Sequence, residues 1–345
     1  MPYKQGWETL VELMTMLKGM GIVLVVLGHA IVAKSLPHNF IYLYHLALFY
    51  FASGYFYKDK YIGNLKLYIW KRIKTLYFPF VKYGLLFLLL HNFFSMLGLY
   101  KGYLTIREML KEGLSILEFF GFEPLLGVFW FLKSLFVVNI VFASILSFSS
   151  KIKYYGGASI ILLGCFTIIG LFAAYRDFPL SKTLAEFVLL PIVALGYVWK
   201  KKGKDFRFNV FVFLISFVIL LLCVHVKIEI SSHKLYTNPL LFYLVSVCGI
   251  YFSLSLCYII RFNILRNLFI SIGYHTMPIF VWHLLLFRGI SLVMIFIYGM
   301  NMDSLCMHPI IPIDNEIWCW IYTFIGIFIP LLFTKMRNNI LKKKE

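Results

Sequence analysis

A lysine and a histidine stand eleven positions apart in the first long apolar stretch, which reads KGMGIVLVVLGH from Lys18 to His29. At about 100° per residue, that spacing is three helical turns plus only about 20°, so both side chains lie on one helix face. A rise of about 1.5 Å per residue separates them by roughly 16 Å along that face. An imidazole with a pKa near neutrality can accept or donate a proton, and a cation can hold an anion. We therefore expect acid–base and anion-binding chemistry on this face.

Each residue of the pair also has an ordinary structural interpretation. Lys18 could extend its amine to a membrane surface, and His29 could satisfy one hydrogen bond inside a helix bundle. Gly19, Gly21 and Gly28 leave the backbone bare around them, which would let a neighbouring helix or a ligand approach closely. An ionisable residue inside an apolar span is costly, so we take the pair as a functional hypothesis.

The composition indicates the elements that must position this pair. Of 345 residues, 61% are hydrophobic and 14% are charged, and the chain contains 36 Phe and 23 Tyr. A water-soluble domain could not bury so many apolar side chains, so the sequence predicts an all-α polytopic membrane protein. The first apolar segment lacks the short apolar region and small-residue site of a cleavable signal, so we expect it to remain as a span.

Apolar windows predict about ten transmembrane helices within a single membrane domain over 1–345. A short interfacial lead-in is expected over 1–12, a basic tail over 336–345, and no additional soluble domain. The predicted spans cover 13–33, 40–57, 77–99, 126–147, 156–175, 183–199, 208–226, 239–260, 276–298 and 318–335.

The distribution of basic residues predicts the orientation. With the N-terminus inside, 21 of the 33 Lys and Arg residues fall in inner segments, eight in outer segments and four within spans. The positive-inside rule therefore places both termini in the cytoplasm, and we expect a bacterial cytoplasmic membrane as the location. The net charge of +18 then reflects topology and contact with anionic lipid, and no nucleic-acid partner is expected.

Two further groups of polar residues are candidates on the N-terminal side. Lys71, Arg72 and Lys74 precede the third predicted span, and Lys82 follows one turn inside it; these cations could hold donor phosphates or anionic lipid. His45 enters the second predicted span at the level of His29, where it could share a site or hydrogen-bond locally.

The fourth and ninth predicted spans carry the remaining candidates. Trp130 precedes Lys133, which is either a paired structural cation or a contact for an acceptor. His283 follows Trp282 near mid-membrane, and Arg288, a little over one turn further on, requires an anion or carbonyl partner. We take Trp130, Lys133, His283 and Arg288 as substrate-site candidates.

The outer loops supply two structural expectations. Apolar residues recur at helical spacing from Ile106 to Leu117, opposite Arg107 and Glu108, and predict an amphipathic helix on the outer surface. Cys306 and Cys319 could form a disulfide if that compartment is oxidising. No zinc, haem, phosphate-loop or serine-hydrolase motif is present, so no metal and no permanently bound cofactor is expected.

Several segments together resemble the membrane acyltransferase-3 family, specifically its fucose 4-O-acetylase-like and polysaccharide O-acetyltransferase branch. The resemblance begins with the lysine–histidine spacing of KGMGIVLVVLGH and continues through LYHLALFYFASGYFY. WKRIKTLYFPF, FWFLKSL and IGYHTMPIFVWH follow in the order of the family. The chain departs from the pattern at Thr15, where the family often has Asp, and at Leu46 and Ala47, which replace a Met-Pro pair.

The resemblance implies transfer of an acyl group, usually acetyl from cytoplasmic acetyl-CoA, to a sugar hydroxyl. The acceptor would be a cell-surface or secreted polysaccharide or its lipid-linked precursor. His29 would act as general base or transient acyl carrier, Lys18 would position the donor, and Lys71, Arg72, Lys74 and Lys82 would bind it. The family's larger members complete transfer with an outer domain, so a separate acceptor-handling protein or a homo-oligomer stays open here.

Two other functions are consistent with polar residues in apolar helices. A transporter or flippase for a lipid-linked sugar or other small molecule would move its substrate without consuming acyl-CoA. A binding or regulatory membrane protein is the third alternative. The absence of an obvious internal repeat argues against a transporter.

Overall fold

The computed structural model describes residues 7–176, 180–203, 206–226, 238–260, 262–307, 309–312 and 316–342. Within them every regular element is helical, as the composition predicts. The first half contains α1 Trp7–Ala30, α2 Leu36–Tyr42, α3 Ala47–Tyr55, α4 Leu65–Arg72, α5 Phe78–Leu89, α6 His91–Met96, α7 Ile106–Leu117 and α8 Trp130–Ser149. The second half contains α9 Tyr155–Tyr175, α10 Ser181–Ala185, α11 Leu190–Lys201, α12 Val210–Leu222, α13 Pro239–Ile259, α14 Asn263–Tyr274, α15 Thr276–Tyr298 and α16 Glu316–Lys342. The start of the expected lead-in and the end of the expected tail lie outside the described residues.

Seven helical stretches of the described chain are long and apolar enough to cross a membrane. They are Leu10–Ala30, Pro124–Ser149, Tyr155–Tyr175, Ser181–Lys201, Pro239–Ile259, Thr276–Tyr298 and Glu316–Ile340. The other three predicted spans are interrupted or short. The span over 40–57 is divided between α2 and α3, the span over 77–99 is divided between α5 and α6, and the span over 208–226 is reduced to the 13 residues of α12. The count of ten and the orientation of the termini stay predictions.

The first helix occupies the centre of the bundle. α1 packs against α3, α13, α14, α15 and α16, so the face that carries Lys18 and His29 is enclosed by other helices. A Cβ on Gly19 would overlap the Phe269 carbonyl of α14, and a Cβ on Gly273 would overlap the Thr15 carbonyl. Glycine at both positions lets the two backbones touch, which is the close approach expected from bare backbone in this segment.

Backbone breaks, not proline, shape the second predicted span. Residues 43–46 form a turn between α2 and α3 although Leu46 and Ala47 replace the Met-Pro pair. Tyr44 in this turn is buried against α13, where a Cβ on Gly249 would overlap its ring. The turn is therefore held by a side chain seated on a glycine, and it places His45 between two short helices.

Two segments outside the long helices pack beside α5. The predicted amphipathic helix is α7, which begins with a capping box between Thr105 and Glu108 and packs Ile116 against Gly84 of α5. The short α4 and the one-turn π-helix Ile73–Tyr77 lead into α5, and the Tyr77 hydroxyl donates to the Leu117 carbonyl at the end of α7 at 2.7 Å. Cys306 and Cys319 are both free thiols, so the bridge considered above is not formed.

Candidate active site

Two histidines from different helices lie ring to ring in the interior. The rings of His29 on α1 and His283 on α15 are stacked with their centroids 5.6 Å apart and their planes at 29°. His283 is fully buried, and its Nδ1 donates to the carbonyl oxygens of Ile279 at 3.1 Å and Phe280 at 3.0 Å. Because a carbonyl only accepts, the proton of His283 is fixed on Nδ1. The structure thus brings together two residues that the sequence singled out separately.

Tyr42 connects these histidines to two others. Its hydroxyl lies 3.5 Å from His29 Nδ1, and its ring stacks on His38 with centroids 4.1 Å apart. The same ring lies 4.9 Å from that of His45. Gly28 makes this possible, since a Cβ there would stand only 3.0 Å from the Tyr42 ring. Sequence reasoning missed Tyr42 and His38, because their approach to His29 depends on where α2 ends.

His45 shares the neighbourhood of His29 but has a local partner. It is buried, and its Nδ1 donates to the Ile41 carbonyl at 2.9 Å. That bond is the local alternative considered for His45, and it turns one ring nitrogen away from the His29 side. Among the described residues, no three His, Cys, Asp or Glu side chains converge as metal ligands.

Lys18 lies three turns from His29 on the same helix. It is half-buried, with Nζ 5.5 Å from the centroid of the Phe56 ring. No carboxylate in the described chain forms an ion pair with it, and Thr15, which replaces the family's Asp, hydrogen-bonds the Val11 carbonyl at 2.8 Å. Lys18 therefore presents a cation that an incoming anion could neutralise.

Arg72 is held in a fixed orientation by hydrogen bonds. Its Nε donates to the Tyr68 hydroxyl at 2.9 Å, and a terminal nitrogen donates to Asn139 Oδ1, also at 2.9 Å. The Tyr68 hydroxyl donates to the same Asn139 oxygen at 3.0 Å, which closes a ring of hydrogen bonds between α4 and α8. The Tyr68 ring also packs on Tyr57, which follows the Phe56 ring contacted by Lys18. We call the part of the bundle around Arg72 and these tyrosines the basic end.

Lys71 and two unpredicted lysines complete the basic end. Lys71 Nζ lies 5.3 Å from the Tyr61 ring, and Lys200 Nζ donates to the Tyr57 carbonyl at 2.8 Å. Burial, and then the positive charge of the neighbouring Arg72, lowers the pKa of Lys71. Lys201 pairs with Asp59. Lys200 and Lys201 begin a basic run that was visible in the sequence, but the proximity of Lys200 to Lys71 depends on packing between α3 and α11.

Two predicted cations lie apart from this cluster. Lys74 is exposed, with Nζ 5.2 Å from the Trp70 ring, and Lys82 is exposed beside Tyr83 at 5.4 Å. Their contacts are those of cations on aromatic rings at the surface of the bundle.

The candidates of α8 belong to a polar group with a carboxylate that sequence reasoning missed. Lys133 Nζ stands 3.5 Å from the centroid of the Phe120 ring, and Trp130 packs on Phe131. The next residue, Ser134, hydrogen-bonds both Tyr50 and Glu186 and so joins three helical segments. Glu186 is the one acidic residue of the predicted span over 183–199, a signal that could have identified it. The Glu186 carboxylate lies close enough to Lys133 for its charge to act on the amine, and both roles considered for Lys133 stay predictions.

Arg288 holds the loop at the end opposite the basic end. Its guanidinium donates to the carbonyls of Leu305 at 2.9 Å, Cys306 at 3.3 Å, and Met307. Carbonyl oxygens were one of the two partners expected for it. Nearby, His91 Nδ1 lies 2.8 Å from Glu123, and burial raises the pKa of the Glu123 carboxyl while His91 opposes the rise. These contacts fix loops above the histidine pair.

Comparison with known proteins gives one match. Residues 14–335 match a family described as an acyltransferase domain, which covers almost the whole chain. No curated protein and no solved structure matches the chain.

Proposed function

The chain belongs to the acyltransferase-3 family of membrane acyltransferases, and from this premise we propose that it moves an acyl group from acyl-CoA to a sugar hydroxyl. The observation that carries the proposal is the interior pair of His29 and His283, joined to Tyr42 and reached from the basic end along the helix face of Lys18. We propose acetyl-CoA as donor and a cell-surface or secreted polysaccharide, or its lipid-linked precursor, as acceptor.

His29 acts as the general base in this proposal. It removes the proton of the acceptor hydroxyl as the oxygen attacks the thioester carbonyl, and the thiolate that leaves takes up that proton. Two stacked imidazoles repel one another when both carry a proton. The stacking of His283 on His29 therefore favours a state in which the His29 ring is neutral and can accept a proton. The Tyr42 hydroxyl orients the His29 ring or donates to the oxyanion. The alternative, an acyl group carried transiently on His29, uses the same geometry.

The donor enters at the basic end. Lys71, Arg72 and Lys200 would bind its phosphates, because Arg72 and Lys200 each lie close enough to Lys71 for their charges to act on it, and Asp59, the carboxylate beside Lys200, already pairs with Lys201. Lys74 and Lys82, which are exposed, would contact the donor at the edge of this group of cations. The pantetheine arm is roughly as long as half a bilayer and would extend past Lys18 toward His29. The cytoplasmic supply of acyl-CoA agrees with a basic end inside and with a bacterial cytoplasmic membrane.

The test compares acetylation of surface glycans and free sugars by mass spectrometry in cells with the wild-type gene, a deletion, and His29→Ala. We expect the deletion and His29→Ala to lose one acetyl mass from the same glycan. His225→Ala, which removes an exposed histidine remote from the site, should retain it. Retained acetylation in His29→Ala would refute the role of His29. Unchanged acetylation in the deletion, with altered glycan export, would indicate a transporter.

A further inference from the structure

A groove separates the last two long helices on the half of the bundle nearer the basic end. It has a volume of about 340 Å³, and α15 lines it with Trp282, Leu285 and Leu286. The antiparallel contacts of these helices, from Tyr298 with Trp318 to His283 near Gly326, place the opposite wall around Pro330 of α16. The groove has the size of the smaller ligand pockets of proteins, which span about 300–1,000 Å³.

The wall supplied by α16 is apolar although it contains a hydroxyl. Pro330 lacks an amide hydrogen and interrupts the hydrogen-bond ladder of its helix, which leaves room beside its ring. Thr334, one turn later, donates its hydroxyl to the Pro330 carbonyl at 2.8 Å. Phe333 lines the groove and is 68% exposed. The Thr334 hydroxyl is thus satisfied within the helix, and the rest of this wall around Pro330 and Phe333 is hydrocarbon.

One charged residue lines the groove. Arg337 stands at the end nearer the basic end, exposed, and makes no ion pair within the described chain. Lys335 is also exposed on α16 but does not line the groove. A groove with hydrocarbon walls and one cation at its mouth complements an apolar chain that ends in an anion.

We propose that this groove binds one acyl chain of an anionic phospholipid, with the headgroup phosphate on Arg337. Both walls belong to helices long and apolar enough to span the membrane, and Phe333 in the lining is exposed, so lipid chains would have access to the groove in a bilayer. A cation where such a helix meets the membrane surface attracts anionic headgroups by about 1 kcal/mol. This ligand is separate from the acyl donor and from the sugar acceptor.

The bound chain would contact Trp282, the residue that precedes His283 on α15. Trp282 lines the groove, and its ring also packs on Tyr83 at 5.9 Å and Phe87 at 5.5 Å. The next residue is His283. A lipid in the groove would therefore restrict the motion of the Trp282 side chain and of the turn of α15 that carries His283.

The test measures lipid binding by native mass spectrometry of the purified full-length protein. Phosphatidylglycerol and phosphatidylcholine with identical chains are titrated onto wild type, Arg337→Gln and Lys335→Gln. Wild type should bind phosphatidylglycerol more tightly than phosphatidylcholine, and Arg337→Gln should lose about fivefold in phosphatidylglycerol affinity. Lys335→Gln, which removes an equal charge outside the groove, should keep the wild-type affinity. Equal losses in the two variants would overturn the headgroup assignment.

A second pair of variants tests the chain site without changing charge. Leu286→Trp fills the groove and should weaken binding of both lipids, whereas Leu332→Trp, at an exposed position of α16 outside the lining, should not. Undiminished binding in Leu286→Trp would overturn the proposal. The proposal would also be overturned if the wild type formed a dimer and Leu286→Trp abolished it, because the groove would then bind a second copy of the chain. These readouts do not involve acyl transfer, so they stand whether or not the proposed function does.

Discussion

Tyr42 is the residue through which the histidines of separate helices reach one another. Its ring contacts His38 and His45, and its hydroxyl approaches His29. The sequence predicts that Lys18 and His29 share a helix face, because that relation depends only on helical geometry within one segment. It does not predict Tyr42, since the position of this side chain depends on a turn and on the bare backbone of Gly28. Relations across segments require packing information.

Removing the Tyr42 hydroxyl should slow catalysis and leave the fold intact. Tyr42→Phe keeps the ring contacts, so the loss isolates a hydrogen bond to a group that becomes charged, worth about 1.5–3 kcal/mol. We expect kcat to fall on the order of 10–100-fold with little change in KM for acyl-CoA, measured as acceptor-dependent release of CoA. Tyr44→Phe, two residues away and seated on Gly249, serves as the control. An equal loss in both variants would assign the effect to general packing.

The charge on Lys71 predicts how donor binding depends on pH. Because burial and Arg72 lower its pKa in the folded protein, Lys71 loses its proton at a lower pH than an exposed lysine. Affinity for a non-hydrolysable acyl-CoA analogue should therefore fall as pH rises through that lowered pKa. Arg72→Gln should weaken binding of the analogue overall. It also removes a positive charge that repels the one on Lys71, so the pH at which affinity is lost should rise.

The control for this shift is Lys66→Gln, an exposed lysine of the same short helix. Lys66→Gln should leave unchanged the pH at which half of the affinity for the analogue is lost. Arg72 also holds Tyr68 and Asn139, so each variant needs a thermal-unfolding measurement beside the binding curve. A midpoint that stays fixed in Arg72→Gln would mean that Lys71 does not contact the donor.

At the level of elements, hydropathy located apolar segments better than it located helices. Seven of the ten predicted spans coincide with long helices, and the three that do not are also rich in apolar residues. A hydropathy window measures how apolar a segment is, but a turn such as 43–46 or the interruption at Leu90 changes the backbone and leaves that measure almost unchanged. The breaks are fixed by tertiary contacts, as Tyr44 on Gly249 illustrates.

Close packing of α3 on α11 gives a stability prediction at this scale. A Cβ on Gly54 would overlap the Val193 carbonyl, and one on Gly196 would overlap the Phe51 carbonyl. Gly54→Ala therefore forces two backbones apart, and overpacking of this kind costs about 1–3 kcal/mol. We expect Tm in detergent to fall by about 3–10 °C. Gly63→Ala, where a Cβ meets nothing within 4 Å, should leave Tm unchanged.

Moving α3 away from α11 should also move Lys71 away from Lys200. Lys200 is on α11, and α3 is followed by the segment that leads to Lys71 on α4. Gly54→Ala should therefore weaken binding of the acyl-CoA analogue more than Gly63→Ala does. A normal Tm with normal donor affinity in Gly54→Ala would show that the helices tolerate a wider spacing.

The whole molecule has two chemically different ends with the histidine pair between them. One end gathers Lys71, Arg72 and Lys200 among tyrosines, and the other is closed by Arg288 on loop carbonyls and by His91 with Glu123. This polarity fits a reaction whose charged donor and neutral sugar acceptor come from opposite sides. It also requires the basic end to face the compartment that contains acyl-CoA.

Cysteine labelling tests that orientation directly. In a background with the six native cysteines replaced by alanine, Lys66→Cys reports the basic end, and Lys101→Cys reports the loop next to Tyr100, which packs on His91 at the other end; both positions are exposed. The positive-inside distribution predicts that a membrane-impermeant maleimide labels Lys101→Cys in intact cells and Lys66→Cys only after permeabilisation. The reverse pattern would place the basic cluster outside, where no acyl-CoA is supplied, and would remove Lys71, Arg72 and Lys200 from donor binding even if His29 proved essential.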